Sequence, residues 1–177
     1  MKTFEEIIDE NIGRVTDFPS SGIQFKDIST LFQNPALVDE MVDVFAAYSR
    51  NQVDAVCGIE SRGFLFGLLI AQKLKLPFIL VRKSGKLPPP TISESYALEY
   101  GNATIEVQPQ YIKEGMRFLI HDDVLATGGT AEATAKLIKK CGGIPAQFSF
   151  IAELISLGGK QKLLDYSYQI QSLIRYD

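Results

Sequence analysis

Two neighbouring acids followed by a short loop of small residues give this chain its sharpest chemical signal. The run Phe118-Leu-Ile-His-Asp-Asp-Val-Leu-Ala-Thr-Gly-Gly-Thr130 carries an apolar stretch into Asp122 and Asp123, then into Ala126, Thr127, Gly128, Gly129 and Thr130. Small residues leave the backbone N–H groups of such a loop unblocked. The threonines add hydroxyl donors, and a helix starting there contributes the positive end of its dipole. That combination cradles a phosphate. The two carboxylates upstream suit sugar hydroxyls, can hold Mg2+ through water, and can favour positive charge developing on a nearby ring. Composition alone leaves open a plainer reading, a solvated acidic turn before an ordinary capped helix. The loop is not a Walker A motif, because no Gly-Lys-Ser/Thr follows the glycines.

A second concentration of charge lies at Arg82, Lys83 and Lys86. These cations match a polyphosphate, although a bare charge run of this kind is more often a solvated face. The single histidine, His121, excludes multi-histidine metal sites, and any serine or cysteine triad would have to be built around this one ring. It reads as a partly buried strand residue satisfied by a neighbour and not as a catalytic base. Cys57 lies in an apolar run and Cys141 at an expected helix end, without metal-type spacing, so reduced thiols are expected. A net charge of -3 argues against nucleic acid or an anionic membrane as the main partner. No apolar run approaches the ~20 residues that cross a bilayer, and the acidic amphipathic start is unlike a signal peptide. A soluble cytoplasmic protein is expected.

The elements that must position these residues follow from periodicity. At 177 residues, 46% hydrophobic and 22% charged, the chain fits one globular domain. Phe4, Ile7, Ile8 and Ile12 recur at helical spacing and predict a short opening helix. Residues 17–30, rich in Pro, Ser and Gly, read as a structured loop. Asn34 suits an N-cap and Pro35 a first turn for a helix over residues 35–49, with Leu37, Met41, Val44 and Phe45 as its apolar stripe. Strands are predicted over 53–59, 77–82, 117–122 and 146–153, helices over 62–74, 129–141 and 157–164, and a final strand over 168–174. Continuous apolar strands separated by helices indicate an α/β domain whose sheet is mostly parallel and covered on both faces. In such sheets ligands bind beyond the carboxyl ends of the strands, where the acids and the phosphate loop fall. Residues 83–110 break the rhythm. Three prolines (Pro88 to Pro90) precede alternating runs over 93–100 and 103–107, which predict a β-hairpin arm turning at Gly101-Asn102.

Asp122-Asp-Val-Leu-Ala-Thr-Gly-Gly-Thr130 resembles the motif by which type I phosphoribosyltransferases bind 5-phosphoribosyl-1-pyrophosphate (PRPP). The resemblance implies that family's fold over residues 1–177, a mostly parallel central sheet flanked by helices, with a base-binding hood over about 1–34 and a catalytic arm over about 83–107. It implies that Asp122 and Asp123 meet the ribose hydroxyls while Ala126, Thr127, Gly128, Gly129 and Thr130 wrap the 5-phosphate. Three further segments resemble the adenine-specific branch. Gly58-Ile-Glu-Ser-Arg-Gly-Phe-Leu-Phe-Gly67 is similar to the turn that holds pyrophosphate, commonly through a non-proline cis peptide. This places the cis bond at Glu60–Ser61 and makes Arg62 a phosphate donor. The segment from Arg82 to Gly101 resembles the mobile catalytic loop. There Arg82, Lys83 and Lys86 would clamp pyrophosphate, Glu99 would move a proton at purine N7 as N9 bonds to the sugar, and Tyr100 would pack over the reacting centre. Phe18-Pro-Ser-Ser-Gly-Ile-Gln-Phe-Lys-Asp-Ile28 resembles the hood, with Phe25 stacking on the purine and backbone near Gln24 reading its edge. Leu154 would cover the opposite face.

Two positions depart from the family. Lys26 stands where arginine is more usual, so a bidentate contact there is no longer implied, and His121 occupies a usually apolar position. The implied reaction joins adenine to PRPP, giving AMP and pyrophosphate. Mg2+ would be held mainly through PRPP and water, in a homodimer whose arm or Arg82 reaches toward the partner's site. Two other readings stay open: a phosphoribosyltransferase for another base, and a PRPP-sensing regulator that has lost catalysis. A net acidic chain that keeps the arm and Glu99 argues against the second.

Overall fold

The computed structural model describes residues 2–18, 20–22, 24–97 and 101–177. The chain opens with α1 (Phe4–Asn11), started by a capping box in which Thr3 and Glu6 satisfy each other's backbone N–H groups. Two short strands follow, β1 (Gly13–Thr16) and β2 (Gln24–Asp27), paired antiparallel from Gly13↔Asp27 to Thr16↔Gln24. The segment 17–30, expected to be a loop throughout, therefore contains a strand and the start of a 3-10 turn, Ile28–Gln33. The strands escaped notice because each is four residues long, β1 mostly exposed and β2 mostly half-buried, with no clear alternation of burial. Next comes α2 (Pro35–Ser49), capped by the Asn34 side chain, which accepts from the Leu37 N–H at 3.2 Å. Leu37, Met41 and Phe45 are buried as expected, whereas Val44 is only half-buried and Val42, Ala46 and Ser49 take the remaining inward positions.

The main body runs β3 (Ala55–Ile59), α3 (Gly63–Leu74), β4 (Phe78–Lys83), β5 (Ile92–Ala97), β6 (Asn102–Val107), β7 (Arg117–Leu125), α4 (Gly129–Lys140), β8 (Ile144–Leu154), α5 (Gly159–Leu163) and β9 (Ile170–Tyr176). Seven strands form one sheet in the order β5-β6-β4-β3-β7-β8-β9. The five strands from β4 to β9 in that order are parallel, and the β5–β6 hairpin adds to the β4 edge antiparallel. This is the α/β architecture with a mostly parallel sheet that the apolar runs indicated. The buried strands serve two cores at once. Cys57, Ile120 and Phe148 pack with Ala135, Leu137 and Ile138 of α4 on one face. On the other, Val56, Leu119 and Ile151 pack with Met41 and Phe45 of α2 and Phe66 and Ile70 of α3.

Several boundaries move. β7 continues past Asp122 through both acids to Leu125, because β8 runs equally far and pairs with it as far as Leu125↔Glu153. The predicted helix over 157–164 divides into a 3-10 turn (Ile155–Leu157) and α5, separated by Gly158 at φ 65°. The last strand starts two residues later than the alternation suggested. In the arm, Asn102, expected in the turn, already pairs with Ala97 as part of β6. Residues 98–100 lie outside the described residues.

Chain direction now explains where a site must form. After β3 the chain crosses to β4 on one side, and later returns as β7 on the other side of β3. The carboxyl ends of β3 and β7 thus sit at the point where the winding reverses, and the crevice there is open to ligand. Residues Glu60 to Arg62 leave β3 at this crevice, and Ala126 to Thr130 leave β7, whose final residues include Asp122 and Asp123.

Candidate active site

Beyond β7, residues Ala126 to Gly128 turn the chain into α4 around a cavity of about 70 Å³. The N-cap of α4 is Gly128, at φ 76°, and no side chain satisfies the first N–H groups of the helix. Those orphan donors and the helix dipole aim at the cavity, as an anion site requires. The loop owes its shape to a second glycine segment that the sequence reading missed. A Cβ on Gly128 would lie 2.5 Å from the Gly159 carbonyl oxygen, and one on Gly159 would lie 2.1 Å from the Ala126 oxygen. Backbone lies directly on backbone there. The Gly158-Gly159 pair between two elements was the available signal.

The two acids behave differently, although they are adjacent. Asp122 lines both the small cavity and a larger cleft, and its Oδ1 accepts the Asp123 N–H at 2.9 Å. Burial and the neighbouring Asp123 charge hold its carboxyl well above the usual range. Asp123 is 5% exposed and pairs with Arg62, Nε to Oδ2, at 2.8 Å. Gly63 permits this closeness of α3 and β7, since a Cβ there would sit 2.8 Å from the His121 oxygen and 2.9 Å from Asp122 Oδ1.

The cleft encloses about 400 Å³ and is walled by the turn after β3, by Lys83, by Tyr96 and by Asp122 to Thr130. Its floor contains the Glu60–Ser61 peptide, which is cis. Glu60 does not face the cleft as a free carboxylate. Arg82 donates to it through Nε at 3.2 Å and Nη2 at 3.1 Å, and the Lys83 N–H donates at 2.9 Å. The Arg82 hydrogen bonds lower the Glu60 carboxyl below its usual range. Arg82 Nη1 also donates to the Lys86 carbonyl at 2.8 Å. Of the three cations expected to act together, Lys83 alone lines the cleft, while Arg82 is engaged by Glu60 and the exposed Lys86 stands outside. Tyr96, which the sequence reading did not single out, closes the far wall, where Thr130 Oγ1 donates to its hydroxyl at 3.1 Å. Glu99 and Tyr100 lie outside the described residues.

A third cavity, about 160 Å³ and mostly apolar, opens between the hood and the end of β8. Gln24, Phe25, Lys26, Arg62, Val124, Ala152 and Leu154 line it, which brings together the hood residues and Leu154 as predicted from segments far apart in sequence. The Phe18 ring meets Phe25 edge-on at 5.1 Å, and the Arg62 guanidinium lies 5.5 Å from the Phe25 centroid. Lys26 directs its ammonium outward, 4.0 Å over the Tyr176 ring.

His121 plays no part in these cavities. It is fully buried, more than expected, with Nδ1 2.8 Å from Ser149 Oγ and its ring edge-on to Phe45. Burial pushes its pKa down to about 3, so the ring is neutral. Cys57 and Cys141 are free thiols, and burial pushes the Cys57 thiol up. Among the described residues no helix is long and apolar enough to cross a membrane, and no cluster of three metal-ligating side chains occurs. The donor set nevertheless suits a hard divalent ion brought by a phosphate ligand, which needs only one or two protein carboxylates. Asp122 offers one at the cleft.

A parallel sheet ending in a phosphate nest, with paired acids and an apolar base-sized pocket beside it, defines a phosphoribosyltransferase class of protein, and residues 27–154 match the phosphoribosyl transferase domain family. The chain is 50% identical over 181 residues to adenine phosphoribosyltransferase of Cytophaga hutchinsonii, covering 99% of this chain and 100% of that one. The crystal structure of adenine phosphoribosyltransferase from Thermoanaerobacter pseudethanolicus superposes with a TM-score of 0.92 at 41% identity, covering 98% of this chain and 100% of that one. The Saccharomyces cerevisiae enzyme, solved with adenine and an imino-altritol bisphosphate, gives 0.89 at 34% identity, covering 96% and 98%. The chain belongs to the adenine phosphoribosyltransferase family.

Proposed function

We propose that this chain transfers the 5-phosphoribosyl group of PRPP to N9 of adenine, giving AMP and pyrophosphate in purine salvage. One observation carries the reading: the three cavities adjoin one another through shared lining residues. The phosphate nest and the cleft share Asp122, Val124, Ala126 and Thr130, and the cleft and the apolar pocket share Arg62 and Val124. A 5-phosphate, a ribose and a purine joined in that order follow the same path.

Each residue then has a role. The N–H groups of Ala126 to Thr130 and the threonine hydroxyls of Thr127 and Thr130 receive the 5-phosphate. Asp122 accepts from the ribose hydroxyls. Asp123 reaches the sugar less directly, because its charge is shared with Arg62. Nitrogen attack at an anomeric carbon passes through an oxocarbenium-like state, and the nearby Asp122 and Asp123 favour its positive charge. On the leaving side, the Glu60–Ser61 turn, Arg62 and Lys83 receive pyrophosphate, with Lys86 and Arg82 joining if Arg82 releases Glu60. Mg2+, when bound, neutralises part of the polyphosphate charge, with Asp122 the residue placed to hold it through water. Phe25 and Leu154 sandwich the purine, the backbone near Gln24 and Lys26 reads its edge, Glu99 accepts or returns the proton at N7, and Tyr100 covers the reacting atoms.

The hood over about 1–34 and the arm over about 83–107 act as parts of a single domain. A homodimer in the cytoplasm is the proposed working form, supported by exposed Leu65, Leu68 and Leu69 on α3 and exposed Leu80 on β4, and by two free thiols. The test is incubation with PRPP, Mg2+ and each purine or orotate in turn. AMP formation with adenine, and not with the other bases, is the expected result. PRPP binding without turnover on any base would overturn it in favour of a sensor. Glu99→Ala should lower turnover far more than PRPP affinity.

A further inference from the structure

The first strand of the arm is held against the phosphate loop at two places. Glu94 of β5 pairs with Lys140 of α4. Two residues further along the same strand, the half-buried Tyr96 ring covers Gly129, so closely that a Cβ there would lie 3.2 Å from the ring. The phenol ends at Thr130, whose Oγ1 donates to Tyr96 Oη at 3.1 Å, and Tyr96 also lines the cleft. Three residues later in sequence stands Glu99.

A threonine hydroxyl has one proton to give and can accept as well. Here that proton is spent on Tyr96. A phosphate in the nest competes for it, and a charged acceptor outbids a neutral phenol. Thr130 must then turn its proton to the phosphate, which frees its oxygen to accept from Tyr96. The phenol rotor reverses and donates, giving a chain from Tyr96 O–H to Thr130 O–H to phosphate, in which each bond strengthens the next. No bond is made or broken and no proton changes owner.

We propose that Tyr96 is a positioning residue that couples occupancy of the 5-phosphate nest to docking of the arm. The coupling deepens the PRPP reading above and rests on it. Tyr96 supports PRPP affinity through Thr130 and leaves adenine recognition untouched, since it does not line the Phe25 pocket.

The experiment is steady-state kinetics on the full chain, with each substrate varied at saturation of the other, for wild type, Tyr96→Phe, Thr130→Ala and the double variant. Phenylalanine keeps the ring on Gly129 and removes only the hydroxyl. Tyr96→Phe is expected to raise KM for PRPP about five- to tenfold, the loss of one hydrogen bond, with KM for adenine changed less than about twofold. In the Thr130→Ala background the same change should have no further effect. Calorimetric titration of AMP into the four proteins should show the same pattern without turnover. Unchanged KM for PRPP, additive effects in the double variant, or a parallel rise in both KM values would each overturn the coupling. Those outcomes leave the adenine reading standing if wild type makes AMP. If wild type makes none, that reading falls, and the titrations alone decide whether Tyr96 and Thr130 are coupled.

Discussion

The phosphate nest and the base pocket meet at Val124, yet they are built from different material. Backbone forms the nest: N–H groups at the start of α4, held in place by the Gly159 backbone lying on the Ala126 carbonyl. The base pocket is made of side chains, with Phe25 from the hood, Arg62 from the start of α3 and Leu154 from the end of β8. A backbone site has little freedom to adjust, because moving one N–H group moves its neighbours. A side-chain pocket can relax by rotamer changes, so its failures should be graded.

Gly159→Ala should damage the nest most. A methyl group 2.1 Å from a carbonyl oxygen cannot be accommodated without displacing the 126–128 loop. A displacement near 1 Å at a positioning group can cost about a hundredfold in rate. kcat/KM for PRPP should therefore fall roughly a hundredfold in a protein that still melts cooperatively. An active variant with ordinary PRPP kinetics would mean that the nest is softer than its packing indicates.

Phe25→Ala comes next. It removes an aromatic wall already touched by Phe18 and Arg62. An aromatic pair plus its buried area places the loss at about ten- to thirtyfold in KM for adenine, and Phe25→Leu should recover most of it. KM for PRPP should stay within about twofold. If both substrates weaken together, the pocket and the nest are mechanically one unit and the distinction fails.

The same contrast decides what could be read before the fold was known. The nest was legible because its donors are consecutive residues in a strand–loop–helix pattern, and the order of apolar runs placed it at the carboxyl edge of the sheet. Its support by Gly159 was not legible, since 33 positions separate Ala126 from Gly159 and only tertiary packing brings their backbones together. For the base pocket, residues were nameable only through resemblance, because Phe25 and Leu154 alone look like core residues. The β1–β2 hairpin that carries Phe25 was missed altogether. In the arm, Arg82, Lys83 and Lys86 are near neighbours in sequence, yet Glu60 engages Arg82 while Lys83 lines the cleft, a division set by tertiary contacts that a charge pattern does not carry. Tyr96 escaped because an inward tyrosine in an alternating strand carries no chemical signature until its partner, Thr130, is located.

His121 tests the support of the nest from behind, one residue before the acids. Its folded pKa, about 3, lies below its ordinary value because burial disfavours the charged ring. The stability it contributes is therefore complete above about pH 6.5 and is lost as pH falls from there toward 3. Asp122 acts in the opposite sense, since a raised carboxyl pKa makes its ionisation at rising pH weaken the fold. Both proteins in a His121→Val comparison retain Asp122, so the difference isolates the chain's single histidine. Between pH 7 and 4.5 the wild-type melting temperature should fall more steeply than that of the variant. At neutral pH the variant should be about 1 kcal/mol less stable, because Ser149 loses its partner. Parallel melting curves across that range would show that the buried ring is not what makes the protein acid-sensitive.

Lys26 should give the smallest effect, and it sharpens the account of the base pocket most finely. Its stem lines the pocket while its ammonium lies over Tyr176, whose hydroxyl donates to Asp9 at 2.7 Å. Tyr176 is in turn the strand partner of Leu154 on the opposite wall. The charge thus ties the hood to the sheet edge through a ring, and a partly solvated cation–π contact is worth about 0.5–1 kcal/mol. Lys26→Met keeps the stem and loses the charge, so KM for adenine should rise about two- to threefold. Lys26→Arg stacks on the same ring and should stay within about twofold of wild type. A tenfold gain in adenine affinity from arginine would mean that this position touches the base directly. The pocket would then select its ligand by a polar contact as well as by shape, and the contrast with the backbone nest would narrow to the Phe25 wall alone.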